Sequence, residues 1–171
     1  IYRLRRSIVR VRRLVSRGLL RVSLARYLDA DPGMLAFAEN PAGKPTLVEP
    51  VHDLQFNVSH SGNLWVCAVT KGQPVGVDVE HVRPLSPHHL MPFMAPEERA
   101  AWLETFGSGP QSEGVNALFA FWTRKEAYVK ARGEGLHLPL DAFAVTMDAH
   151  QAPKLQYDRH HTDAPTGWAL T

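Results

Sequence analysis

Phe56-Asn57-Val58-Ser59-His60-Ser61-Gly62, FNVSHSG, sets amide, hydroxyl and imidazole side chains directly behind an apolar residue. Such a run reads in two ways. Asn, Ser and Gly favour turns, because they bond their own backbone or tolerate unusual φ. The same groups, with Ser59, His60 and backbone N–H groups turned outward, also make a seat for an anion. The flanking residues supply the local fold. Phe56–Val58 and Leu64–Thr70 are strand-forming runs joined across Ser59–Asn63, a hairpin signal. Lys71-Gly72-Gln73-Pro74 is the next turn and Val75–Val79 a third strand, so a small antiparallel sheet is expected here.

Upstream of that sheet, residues 4–28 predict a long helix. Leu4, Ile8, Val11, Val15, Leu19 and Val22 recur at three- and four-residue steps and form one apolar stripe. Arg10, Arg12, Arg13, Arg17 and Arg21 fill much of the remaining surface, and Asp31-Pro32-Gly33 marks the stop. Residues 40–50 read as a loop broken by a short extended piece. Downstream, 81–92 is rich in Pro and His and irregular in expectation. Ala95-Pro96-Glu97-Glu98 opens a helix that runs to about Phe106, with Pro and acids suited to a first turn. Gly107–Gly114 is a polar loop, and Asn116–Arg132 a second strong helix closed by Gly133 and Gly135. A turn and strand, a polar turn near 148–154, a strand near 154–158 and the start of another in GWALT complete the chain. The order helix, sheet, helix, strands gives two α/β halves of comparable size, without a detectable sequence repeat.

Composition narrows the class. The chain has 171 residues, 44% hydrophobic and 21% charged, ordinary for a globular domain able to bury a core. One cysteine, Cys67, excludes an internal disulfide framework and any CxxC metal knuckle, and points to a reducing, cytoplasmic setting. No apolar run reaches the roughly 18–20 residues of a membrane span. The chain opens on Ile1, so residues are expected to precede it. Net charge is +2, but the first thirty residues hold nine of the 19 Arg and Lys beside a single acid, Asp29. A basic first helix on an acidic body suggests an anionic partner. His88-His89 and His160-His161 are adjacent pairs, not the i,i+4 spacing of a helical metal site, and read as loop residues.

Two further stretches carry chemistry. In GVDVE, Gly76–Glu80, a strand would put Asp78 and Glu80 on one side and Val77 and Val79 on the other. The pair is either one polar strand face or two hard oxygen ligands for a divalent cation such as Mg²⁺. In FWTRKEAYVK, Phe121–Lys130, Glu126 and Lys130 are four apart on a helix laden with aromatics. They form either a surface ion pair or charged groups that need partners beside buried rings. Taken together, Asp78, Glu80 and Glu126 could hold one Mg²⁺ while leaving positions for phosphate oxygens, with Lys130 and His60 offsetting phosphate charge.

AGKP (42–45), FNVSHSG (56–62), GVDVE (76–80), FWTRKEAYVKARGEGL (121–136) and LPLDAF (138–143) occur in an order and spacing that resembles the 4′-phosphopantetheinyl transferases of the surfactin-synthetase-activator type. The likeness runs from about residue 10 to the end. It implies an α+β fold, a monomeric pseudodimer of two similar halves (1–80 and 81–171), each a small antiparallel sheet packed with a long helix. Coenzyme A and Mg²⁺ would bind in the cleft between them. The implied reaction moves the phosphopantetheine arm of coenzyme A to a serine of an apo carrier protein, leaving adenosine 3′,5′-bisphosphate. Asp78, Glu80 and Glu126 match the Mg²⁺ ligands, and Lys130 the lysine at the α-phosphate. Ser59 and His60 match phosphate contacts, while Gly43, Lys44 and Pro45 match the loop holding adenine and ribose phosphate. Arg12 falls near the place of a basic residue at the 3′-phosphate, and Glu98 aligns with a glutamate that helps deprotonate the attacking serine. Nucleic acid and membrane are not among the implied partners. The family's frequent aromatic before GKP is Ala42 here, and its lysine-bearing N-terminal segment and last apolar strand have no counterpart; a shortened sequence is the expected cause of both. Two other readings are a nucleic-acid-binding module led by the Arg-rich helix, which leaves the three carboxylates unexplained, and a different Mg²⁺-dependent nucleotide enzyme, which leaves the motif order unexplained.

Overall fold

A computed structural model describes residues 2–107, 114–147, 151–162 and 164–171. Most of the polar loop expected at Gly107–Gly114, and part of the turn near 148–154, lie outside them. The described elements in chain order are α1 (Tyr2–Leu28), β1 (Ala36–Glu39), β2 (Pro45–Glu49), β3 (Leu54–Ser61), β4 (Leu64–Lys71), α2 (Pro96–Phe106), α3 (Val115–Arg132), β5 (Phe143–Val145), β6 (Leu155–Asp158) and the single turn α4 (Ala164–Gly167). Short 3-10 turns at Pro87–His89 and Met91–Phe93 occupy the stretch read as irregular. No helix among the described residues is long and apolar enough to cross a membrane.

The strands form three antiparallel pairs, β1–β2, β3–β4 and β5–β6. β3 does not stop at Val58. It continues through Ser61, which pairs with Leu64, so the turn is only Gly62-Asn63. Gly62 takes φ +59°, the conformation a two-residue hairpin asks of its first central position. Alternation along β3 then divides the motif. Phe56 and Val58 face α1, while Asn57, Ser59 and Ser61 share the opposite face. Two strand expectations fail. Residues 75–79 are extended but make no backbone ladder, and the end of the chain forms α4 and irregular structure where a strand was expected.

Apolar packing gathers in two clusters. In the first, Leu20, Leu24 and Ala25 of α1 meet Leu35, Leu47 and Phe56, with Trp65 and Val69 of β4 against them. The face α1 buries is not the expected stripe, since Val11, Val15 and Val22 are 57%, 55% and 46% exposed. Polar anchors choose that face. Trp65 Nε1 donates to Ser16 Oγ at 2.9 Å, and Arg21 donates to the carbonyls of Pro32 and Leu35 while lying over the Phe37 ring. In the second cluster Leu118, Phe121, Tyr128 and Val129 of α3 pack with Trp102 of α2 and with Phe143, Val145 and Leu155 of β5 and β6. α3 ends in Gly133 at φ +70°, whose N–H bonds Val129 O, a left-handed C-terminal cap.

Candidate active site

The extended segment 75–81 lies between the two clusters and is held from both sides. On one side is α3. A Cβ on Gly76 would sit 2.0 Å from Ala127 O and 2.4 Å from Ala131 N, so only glycine allows this approach to the helix backbone. On the other side is β3. Val77 N donates to Asn57 Oδ1 at 2.9 Å, Val79 N to Ser59 Oγ at 3.3 Å, and His81 N to Ser61 Oγ at 2.9 Å. Side chains thus replace the backbone partners of a parallel ladder. That is why the residues run extended without forming a third strand.

This clamp presents the acids. Ser59 Oγ donates to Asp78 Oδ1 at 2.8 Å, and Ser61 Oγ to Glu80 Oε2 at 3.1 Å. Lys130 Nζ approaches Asp78 Oδ1 to 2.5 Å and Ser59 Oγ to 3.2 Å. Asp78 Oδ2 is buried without a hydrogen-bond partner, an orphan that calls for a cation or another donor. Glu126 is half-buried one turn before Lys130. Burial pushes its carboxyl above the ordinary value, opposed by the Lys130 charge and reinforced by Asp78 and Glu80. Three acids thus sense one another with a single ammonium among them.

The expected metal set is nevertheless not closed. Among the described residues, no group of three His, Cys, Asp or Glu side chains is arranged to hold an ion. Lys130 stands against Asp78 Oδ1, so one oxygen of that acid is paired with an ammonium. The donors still fit a hard cation in kind: oxygen ligands, net negative charge, and one buried oxygen that nothing else satisfies.

Beside the acids runs a cleft of about 320 Å³, whose lining includes Glu126 and Lys130 on α3, Val58 on β3 and the Gly43–Pro45 loop. That loop is docked on the end of α3. Asn40 Oδ1 accepts from Lys44 N at 2.8 Å and Asn40 Nδ2 donates to Gly133 O at 2.8 Å. Lys44 Nζ reaches Val75 O at 3.2 Å and Ala131 O at 3.1 Å, and burial lowers its pKa. Lys44 therefore braces loop, clamped segment and helix end together, with one of its three donors uncommitted.

The structure brings together Asp78, Glu80, Glu126, Lys130 and Ser59, with Gly43, Lys44 and Pro45 across the cleft. Three other expected residues, His60, Arg12 and Glu98, lie apart. His60 is exposed and pairs with Trp65 on the α1 face of the hairpin, opposite to Ser59. Arg12 is exposed on α1, outside the cleft lining. Ser59 itself is spoken for, because a hydroxyl has one donor and two acceptor sites and all three are engaged.

Glu98 also has a different task from the one expected. It is 3% exposed, and its Oε1 accepts from Val145 N while Oε2 accepts from Ala95 N and Lys125 Nζ, each at 2.7 Å. Lys125 spends its remaining donors on Leu140 O and Phe143 O at 2.6 Å. Burial drives the acid's pKa up and the amine's down, each opposed by the partner's charge. A saturated core pair has no face for a serine. Sequence reasoning also missed Asn57, Ser61 and Gly76; the period-two polar pattern of Asn57, Ser59 and Ser61 was the signal for the first two.

Comparison with known proteins bears on what this cleft is. Residues 74–171 match the 4′-phosphopantetheinyl transferase superfamily, and residues 6–72 match the 4′-phosphopantetheinyl transferase N-terminal family. The chain belongs to the 4′-phosphopantetheinyl transferase superfamily. Among its relatives, 4′-phosphopantetheinyl transferase HetI of Nostoc sp. is 36% identical over 144 residues, 82% of this chain and 59% of that protein. A Bacillus subtilis 4′-phosphopantetheinyl transferase is 32% identical over 84% of this chain and 62% of its own length. 4′-Phosphopantetheinyl transferase Sfp of Bacillus subtilis strain 168 is 30% identical over 90% of this chain and 65% of its own length. The chain thus spans about three-fifths of the length of these relatives. The superfamily match covers the clamped acids, α3 and the second cluster, and the N-terminal match covers α1 and both hairpins.

Proposed function

We propose that this chain carries the activity named for its relatives, transfer of the 4′-phosphopantetheine arm of coenzyme A to a serine of an apo carrier protein. The observation that carries this reading is the contact of Asp78, with its unpartnered buried oxygen, to Lys130, which lines the cleft. The halves 1–80 and 81–171, each with its own apolar cluster, form the pseudodimer of this reading, acting as a cytoplasmic monomer with the cleft at their junction.

In this reading the Gly43–Pro45 loop receives the nucleotide end of coenzyme A, and the diphosphate lies toward Lys130. Asp78, Glu80 and Glu126 would hold Mg²⁺. When bound, the ion polarises the diphosphate and neutralises its charge. The serine oxygen of the carrier attacks the phosphorus bearing the pantetheine arm, a new P–O bond forms, and the P–O bond to adenosine 3′,5′-bisphosphate breaks. Lys130 donates to an oxygen of the departing phosphate, a fixed charge aimed where charge develops. The serine proton passes to water in the cleft as the new P–O bond forms.

Intact-mass analysis of apo carrier proteins incubated with coenzyme A, Mg²⁺ and the chain tests the reading. The expected result is a gain of one phosphopantetheine arm, lost with Asp78→Ala or Lys130→Ala. Unchanged mass across several carrier classes would overturn it.

A further inference from the structure

We infer that Asn57, Ser59 and Ser61 are positioning residues that set the register and side-chain orientation of Asp78 and Glu80. The inference rests on the reading that these two acids hold a cation. Its basis is a constant offset. Asn57, Ser59 and Ser61 receive the amides of Val77, Val79 and His81, each twenty residues on. Both hydroxyls then turn back by one residue, Ser59 donating to Asp78 and Ser61 to Glu80. One serine oxygen thus fixes the backbone amide after an acid and one oxygen of that acid. At Asp78 this leaves the second oxygen buried and unpartnered.

Two features give the ladder a task beyond holding the fold. Backbone pairing would have pinned the segment equally well, but ladder carbonyls carry no proton to give the carboxylates; the hydroxyls both accept from the amides and donate to Asp78 and Glu80. Register is also the property at stake, since a one-residue slip would put Val77 and Val79 where Asp78 and Glu80 stand. Gly76 against α3 opposes that slip from the other side. Partners that orient metal ligands typically govern metal affinity by ten- to a hundredfold.

The test uses the full chain and two readouts. Amide hydrogen exchange on metal-free protein should show Val77, Val79 and His81 protected. Ser61→Ala should speed His81, and Asn57→Leu should speed Val77, each by about tenfold or more while the other amide changes less. Mn²⁺ titration followed by electron paramagnetic resonance should show Ser61→Ala weakening the ion about tenfold, with Ser61→Thr, which keeps the hydroxyl, within about threefold of the parent. Unchanged exchange, or equal weakening by Ala and Thr, overturns the inference. A parent chain that binds no Mn²⁺ yet shows the exchange pattern overturns the metal reading instead, and with it the role assigned to the ladder.

Discussion

Lys130 Nζ bears on Asp78 Oδ1 at 2.5 Å, joining a side chain 29% exposed to one only 4% exposed. The ammonium offsets part of the charge of an acid cluster that would otherwise repel itself. If the acids hold a divalent ion, as proposed, that ion competes with Lys130 for Asp78, and the released ammonium turns to phosphate. Lys130→Ala should then move two observables in opposite directions. Metal affinity without coenzyme A should tighten roughly tenfold, the scale of one lost charge-assisted hydrogen bond of about 1.5 kcal/mol. Turnover should fall by about 10²–10³ for the lost phosphate donor. Mn²⁺ titration and single-turnover carrier loading measure the two, and unchanged ion affinity would remove the competition.

Glu126 gives a prediction about stability. Its carboxyl titrates above the ordinary value, chiefly through burial. Between the unfolded and folded values the native state binds more protons than the unfolded chain. Metal-free stability should therefore fall as pH rises through that window and stay reduced above it. Glu126→Gln removes the penalty, so metal-free melting near pH 7 should rise by about 2 °C. If Mg²⁺ binds as proposed, the same variant should lose the stabilisation that saturating ion would give the parent, about 2.7 kcal/mol at a hundredfold excess over Kd. Thermal scans with and without Mg²⁺ in the two proteins check both signs.

Local pattern carried the helices and the β3–β4 hairpin, because Asp31-Pro32-Gly33, Gly133 and the strand-forming run at 64–70 are signals written within a few residues. What the pattern missed was set by contacts far along the chain. The face of α1 was misjudged because Ser16 and Arg21, bonding Trp65 and the turn at Pro32–Leu35, outweigh the valine stripe. Val75–Val79 looked like a strand and is extended, but its partners are side chains of β3, which no propensity records. At the site, Asp78, Glu126 and Lys130 were legible from charge set among apolar residues. The burial of Glu98 was not, since an acid in a first turn is normally solvated, and it is Lys125 and the β5 backbone, far along the chain, that draw it inward.

Gly76 tests the clamp from the helix side. The contacts a Cβ would meet, Ala127 O and Ala131 N, belong to the backbone of α3 and cannot swing away. Gly76→Ala should cost about 3 kcal/mol, the upper range for overpacking, and should weaken Mn²⁺ binding because the acids shift with the segment. Gly18, within α1, has nothing within 4 Å of an added Cβ, so Gly18→Ala should stabilise by up to about 1 kcal/mol. Urea unfolding of the two variants gives the contrast. Equal effects would mean that Gly76 is not held against α3.

Glu98 separates catalysis from architecture. A carboxylate acting as the serine's base should lose about 10²–10⁴ in turnover when replaced by its amide. The geometry predicts otherwise, because the acid lies in the core with both oxygens engaged by Lys125, Ala95 and Val145. Glu98→Ala should be severely destabilising, about 3–5 kcal/mol, since it strands the Lys125 ammonium away from water. Glu98→Gln, milder but still destabilising, is the informative variant. Assayed well below its melting transition and normalised to folded protein by circular dichroism, it should keep turnover within about threefold of the parent, far from the loss of a base. A hundredfold fall in the rate of a fully folded Gln variant would return Glu98 to the chemistry and require the β5 edge to open during the reaction.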